Sequence, residues 1–321
     1  MMNQTVASDS ASPISQPDRR TLLRTTGLAA AGIAALASIA PATVLADTPR
    51  TINGVTALYF TLFIKYVTAN YYLYAATGTG LAPEDTGYIN NSSPPPTSIP
   101  GQTVLGGSAV PFKTPIYAQY ANNIAADELT HLRYFRAVLA ETDFVYAMPT
   151  IDMGSVWTNL GVAAGLIVSG QTFNPFADEI SFLLGAYYLE DLCVSFFSGV
   201  FNGVQPLPLS TNFKELYGAL AGAEAYHAGT IRTLLALIGG GGAVAKLSAY
   251  RASLSGVADP GILMPNGAVN VGPFGSQALM LTRDAYQAMS VLFLAPTQTG
   301  FFNQSGFFPN GLLMPNEPNA H

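Results

Sequence analysis

Apolar residues recur along this chain at the three-and-four spacing of buried helix faces, and they mark four long segments. The first lies near Gly54 to Ala76 and closes in Thr77-Gly78-Thr79-Gly80. The second lies near Pro115 to Glu141. The third lies near Pro175 to Gly199, with proline at a favoured first position. The fourth lies near Asn212 to Ile238 and stops at Gly239-Gly240-Gly241-Gly242. A further amphipathic helix is predicted from Gly275 to Leu294. No segment shows the strict alternation of a half-buried strand, so the expected class is all-α.

The connections add topology. A loop of roughly 35 residues joins the first two helices and carries Pro94-Pro95-Pro96; loops of that length are uncommon in compact domains. A second long connection, Thr142 to Asn174, lets the third helix start at the opposite end of the bundle from where a tight turn would put it. One crossover of that kind is the connectivity of a ferritin-like four-helix bundle. The expected organisation is a leader at 1–46, the bundle at 47–240, and a C-terminal extension packed on it at 241–321. Gly306-Phe307-Phe308-Pro309-Asn310-Gly311 is expected to be irregular but packed, since adjacent phenylalanines are costly to leave in water.

Composition narrows the function. Hydrophobic residues make up 49% of the 321 and charged residues 10%, against about 25% charged in an ordinary soluble domain. Such a chain buries a large core and is not disordered. Glycine and proline interrupt every apolar run beyond the leader, which argues against a membrane span after it. The net charge of −6 and the thin spread of basic residues exclude nucleic acid as a natural partner. The sparse charge and many Tyr, Phe and Pro fit a surface made for partners, a second copy of the chain among them. Cys193 is the sole cysteine, so no internal disulfide forms, and its apolar neighbours Leu192, Val194 and Phe196 predict a buried thiol.

The leader is an address. Asp18-Arg19-Arg20-Thr21-Leu22-Leu23-Arg24 precedes a modest apolar run from Thr26 to Ala40, and Val44-Leu45-Ala46 suits cleavage after Ala46. This is the layout of a twin-arginine export signal. It resembles the pattern S-R-R-x-F-L-K, with Asp18, Leu22 and Arg24 as departures. The expected location is the periplasm or the medium. That route carries folded proteins, which suits one that acquires metal before export.

Candidate chemistry is concentrated in few residues. Of three histidines, His321 is terminal, and the other two each follow a glutamate by three: Glu128-Leu129-Thr130-His131 and Glu224-Ala225-Tyr226-His227. Chance seldom pairs both in a chain with only eight Glu. On a helix, i and i+3 share a face. Ile124, Leu132 and Phe135 share the first stripe, and Leu220, Ile231 and Leu234 the second, so both faces point inward. The third helix adds Glu190 among Leu183, Leu184, Tyr187 and Val194. Charged groups on a core face are expensive unless paired or bound to metal.

These features together resemble the exported ferritin-like proteins related to plant desiccation-associated proteins. The resemblance runs through Lys65-Tyr66-Val67-Thr68-Ala69-Asn70-Tyr71-Tyr72, both Glu-x-x-His pairs, Leu189-Glu190-Asp191, Leu281-Thr282-Arg283 and the closing Gly306 to Gly311 string. It implies a four-helix ferritin-like bundle. A complete carboxylate di-metal site takes one Glu from each of two helices and a Glu-x-x-His from each of the other two. This chain supplies five of the six ligands: Glu128, His131, Glu190, Glu224 and His227. The family's first helix carries Glu-x-x-Glu where this chain has Lys65 and Thr68. Asp127, Asp178 and Asp191 are the available substitutes. One divalent cation (iron, manganese or zinc) plus the ammonium of Lys65 would balance the three glutamates; alternatively Lys65 snorkels to solvent. Two functions stay open. One is a metal-binding, stress-related protein with residual peroxide or oxygen chemistry. The other is a non-enzymatic structural or interaction protein whose Glu/His cluster is a metal-free polar network.

Overall fold

The computed structural model describes residues 54–90, 99–141, 144–203, 213–263, 267–275, 278–296 and 304–312. The expected export signal and cleavage point, the Pro94–Pro96 run, the link before residue 213 and His321 lie outside them.

Four long helices form the bundle: α1 (Gly54–Thr77), α2 (Pro115–Ala140), α4 (Glu179–Gly203) and α5 (Phe213–Leu237). The short α3 (Ser155–Ala163) lies within the second long connection, and α6 (Gly241–Ser255) and α7 (Ala285–Phe293) follow the bundle. Contacts give the directions. Tyr66 meets Arg136 and Thr68 meets Glu128, so α1 and α2 are antiparallel. Asp191 meets Arg232 and Phe197 meets Tyr217, so α4 and α5 are antiparallel. Tyr71 stacks on Phe182 while Lys65 lies over Phe197, so α1 also opposes α4. Hence α2 and α4 run the same way, and the connection between them crosses the length of the bundle, as ferritin-like connectivity requires.

α1 is the centre. It is buried on every side from Ala57 to Tyr72, because the C-terminal extension and the long connections close over the face that the other three helices leave open. Phe63 packs on Tyr146 and Phe308, and Trp157 of α3 packs on Tyr71, Tyr188 and Phe307. Close approach of α4 to α1 depends on Gly185, where a Cβ would meet the Tyr71 hydroxyl oxygen at 2.4 Å.

Local chemistry sets the helix ends. Pro115 opens α2. The Asp178 carboxylate accepts from the backbone N–H of Ile180 and Ser181, both at 2.9 Å, and so starts α4 four residues after the predicted Pro175. α4 is long and apolar enough to cross a membrane, but it is a core helix, 83% buried over that stretch. α5 closes on Gly239 in the left-handed conformation, φ +76°. The four-glycine run therefore ends one helix and at once begins another: Gly240 precedes α6, a helix that the sequence reading did not foresee. The predicted Gly275–Leu294 helix is shorter, with an Asp284/Gln287 capping box starting α7.

The long connections are tied down by two small sheets, which the all-helical expectation did not include. Ile89–Asn90 (β1) pairs antiparallel with Phe144–Val145 (β3), and Val104–Gly106 (β2) pairs parallel with Ile151–Met153 (β4). Among the described residues these are the only sheets, and the class stays all-α.

Behind α4 lies a buried ionic lock. Asp191 Oδ2 accepts from Arg232 at 2.6 Å and from Arg251 at 2.9 Å. Asp259 Oδ2 accepts from Arg251 and Arg283, each at 2.7 Å. Arg251 also donates to the Tyr187 and Tyr188 carbonyls, and Arg283 to Ser195 and Ser255. The lock joins α4, α5, α6 and the segment before α7, so the extension is riveted to the bundle.

Candidate metal centre

Each bundle helix sends residues to one buried point. α1 brings Lys65, Thr68 and Tyr72, α2 brings Glu128 and His131, α4 brings Glu190, and α5 brings Glu224 and His227. Lys65, Glu128, Glu190 and Glu224 are all fully buried. Lys65 therefore does not snorkel: its ammonium stays inside, donating to Glu128 Oε1 at 2.6 Å and bonding Glu224 Oε1. Thr68 donates to the other oxygen of Glu128.

His131 Nδ1 lies 3.5 Å from both Glu128 Oε1 and Glu224 Oε1, the pair of oxygens that Lys65 holds. His227 Nδ1 faces the opposite half of the cluster, 3.6 Å from Glu190 Oε2, 3.8 Å from Glu224 Oε2 and 4.0 Å from Glu128 Oε1. Its other nitrogen, Nε2, lies 3.2 Å from Asp127 Oδ2 at the half-exposed rim. With Nε2 engaged by that carboxylate, Nδ1 is the nitrogen turned inward to the cluster.

The other carboxylates offered by the sequence go elsewhere. Asp191 belongs to the lock, Asp178 caps α4, and Asp127 orients His227 from outside. None supplies a sixth ligand. Cys193 is buried, as its neighbours predicted.

The cluster is not satisfied by protein alone. Both oxygens of Glu190, Glu224 Oε2, Nδ1 of each histidine and the Tyr72 hydroxyl are buried without a hydrogen-bond partner. Buried polar atoms are ordinarily paired, and six such atoms at one point call for a ligand. One atom each from Glu128, Glu190, Glu224 and His227 lie within 4.8 Å of one another, a spacing that could hold a metal ion. Three carboxylates and an imidazole form a donor set for iron, manganese or zinc.

Electrostatics agree. Burial pushes the Glu190 carboxyl up to about 7, against the pull of His227. Burial acts to lower His227, but the Glu190 and Glu224 carboxylates outweigh it and push the imidazole up to about 12. Burial would raise Glu224, yet the Lys65 ammonium holds it well below the usual range. Protein alone thus neutralises the Lys65 side with an ammonium and the Glu190 side with protons, at the positions a cation would take.

Tyr72 is the residue that the sequence reading missed. It lies seven residues after Lys65 and four after Thr68, hence on the same face of α1, and burial beside Glu190 raises its hydroxyl well above the ordinary value. That spacing was the available signal.

Fold and cluster together define a helical bundle with an internal carboxylate–histidine site. The sequence model of the ferritin-like domain family matches residues 53–237, α1 through α5, and the chain belongs to that family. No curated protein and no solved structure matches it.

Proposed function

We propose that this protein is an exported binder of a divalent metal ion, held in the buried site by Glu128, Glu190, Glu224 and His227. The observation that carries the reading is Glu190: a fully buried side chain with neither oxygen partnered, beside an unpartnered Glu224 Oε2 and His227 Nδ1. In a metal-free polar network, the alternative function, the facing donor is the His227 Nδ1, which stays 3.6 Å from Glu190 Oε2 and 3.8 Å from Glu224 Oε2, too far for a good hydrogen bond, and each buried unsatisfied group costs about 1–3 kcal/mol, more when charged. Iron or manganese held there would supply one-electron chemistry toward peroxide or oxygen, whereas zinc would supply none.

The chain's own contribution is positional. Asp127 fixes the ring of His227, and Lys65 and Thr68 fix Glu128. Export by the twin-arginine route rests on Arg19 and Arg20, and it would deliver a bundle already folded around its metal. A role in stress protection follows from the resemblance to desiccation-associated proteins. Elemental analysis of protein recovered from the periplasm or medium tests metal binding. The expected result is a near-stoichiometric transition metal that is lost in Glu190→Ala; protein recovered without metal, and unable to take up added manganese, iron or zinc, refutes it.

A further inference from the structure

The six-ligand pattern of a ferritin-like di-metal site does not fit this cluster, and the misfit has a direction. Carboxylate oxygens on one side are already served: Glu128 Oε1 and Glu224 Oε1 by Lys65, and Glu128 Oε2 by Thr68. Those on the other side, both of Glu190 and Glu224 Oε2, have no donor. His131 Nδ1, the imidazole nitrogen on the served side, has only the two oxygens that Lys65 already grips within 3.5 Å.

We infer that the ammonium of Lys65 stands in the place of a second metal ion, so that the cluster binds one divalent cation per chain, on the side of Glu190, Glu224 and His227. This rests on the reading of the cluster as a cation site and says how many ions it holds. Charge supports it. The three glutamates carry −3 and Lys65 +1, which leaves −2 for one divalent ion to cancel. Two divalent ions beside the ammonium would leave +2 with no counter-charge among the cluster's own residues, and uncompensated buried charge is strongly disfavoured. Position supports it as well. Lys65 and Thr68 are three apart on α1 and both donate to Glu128, so the helix that would carry two carboxylates presents two donors instead. The ammonium has no path to solvent: it is fully buried, with the Phe197 ring 5.1 Å away on its α4 side.

The test uses the full mature chain and Mn²⁺ as probe. Wild type should retain one manganese per chain after desalting and give the spectrum of an isolated Mn²⁺ in electron paramagnetic resonance. Lys65→Glu removes the ammonium and adds a carboxylate, taking the cluster from −2 to −4. It should retain two manganese ions with an exchange-coupled spectrum. Where Lys65→Glu does not fold, Lys65→Gln serves. Metal-free, it should melt below wild type, and saturating Mn²⁺ should raise its melting temperature more than it raises that of wild type, since the ion then relieves carboxylates that the ammonium had paired. Two ions on wild type, one ion on folded Lys65→Glu, or an equal metal-induced shift in Lys65→Gln and wild type would leave the cation site standing and remove Lys65 from the second position. A wild type that takes no ion fails the cation-site reading itself, and this inference with it.

Discussion

Asp259→Ala tests how firmly the C-terminal extension holds the bundle. The Asp259 side chain is fully buried and accepts three charge-assisted bonds: Oδ2 from Arg251 Nε and Arg283 Nη2, each at 2.7 Å, and Oδ1 from Arg251 Nη2 at 2.9 Å. Truncation strands two guanidiniums in the core. Removing one partner of a buried pair costs about 3–5 kcal/mol. Arg251 keeps Asp191 and two carbonyls, and Arg283 keeps Ser195 and Ser255. These leftover partners place the expected loss near the middle of that range, at about 4 kcal/mol. Urea unfolding of wild type and variant at neutral pH, followed by linear extrapolation, measures it. Acid gives an independent check. Burial would raise the Asp259 carboxyl, but Arg251 and Arg283 outweigh it and hold it below the ordinary value. Its contribution is therefore fully present above the unfolded-state value of about 3.9 and is lost only as pH falls through the lower folded one. The gap between wild type and variant should accordingly be flat from pH 7 to 5 and narrow only in stronger acid. A loss below about 1 kcal/mol at neutral pH would mean that the carbonyls alone satisfy the arginines and that the lock is no rivet.

Three further perturbations have definite expected outcomes. Glu224→Ala, studied metal-free by urea unfolding, should lose about 3–5 kcal/mol because it leaves Lys65 buried with one carboxylate fewer; a change under about 0.5 kcal/mol would contradict the burial of that pair. Gly185→Ala places a Cβ 2.4 Å from the Tyr71 hydroxyl oxygen and should destabilise by about 1–3 kcal/mol. Tyr71→Phe in the same chain should recover part of that, net of the 2.7 Å bond the hydroxyl donates to the Phe182 carbonyl; no recovery would place the strain elsewhere. Arg19→Lys with Arg20→Lys should hold the protein in the cytoplasm, read by fractionation, whereas normal export of the double variant points to the general secretory route.

The bundle was legible because its signals are local. Pro115, Gly239 and the inward stripes of α2 and α5 bound those helices to within a residue or two. The two Glu-x-x-His pairs marked the site for the same reason: i, i+3 on one helix is a local relation. What escaped depended on tertiary contacts. α6 was missed because its buried face includes Ser248 and Arg251, polar residues that break an apolar count and make sense only once Asp191, Asp259 and Tyr187 surround them. The small sheets were missed because strands of two or three residues carry no usable alternation; partners brought in by the long connections define them. Lys65 stayed open between core and solvent because α1 is apolar all round, so periodicity could not say which side, if any, faces water. Glu128, Glu224 and Phe197, on the other three bundle helices, decided that.

The two polar centres are not independent. Glu190 and Asp191 are consecutive on α4, and successive helical side chains diverge by about 100°, so one turns into the cluster and the other into the lock. Glu190 has no hydrogen bond to fix it. Its position is inherited from a backbone pinned one residue later, where Arg232 and Arg251 hold Asp191 and Arg251 also holds the carbonyls of Tyr187 and Tyr188 in the preceding turn. The family match ends at residue 237, before Arg251, Asp259 and Arg283. Together with Arg232 of α5, the extension beyond it thus does for Glu190 what hydrogen bonds do for Glu128 and Glu224. It holds a bare carboxylate in place while leaving both oxygens open, as the proposed metal binding would require.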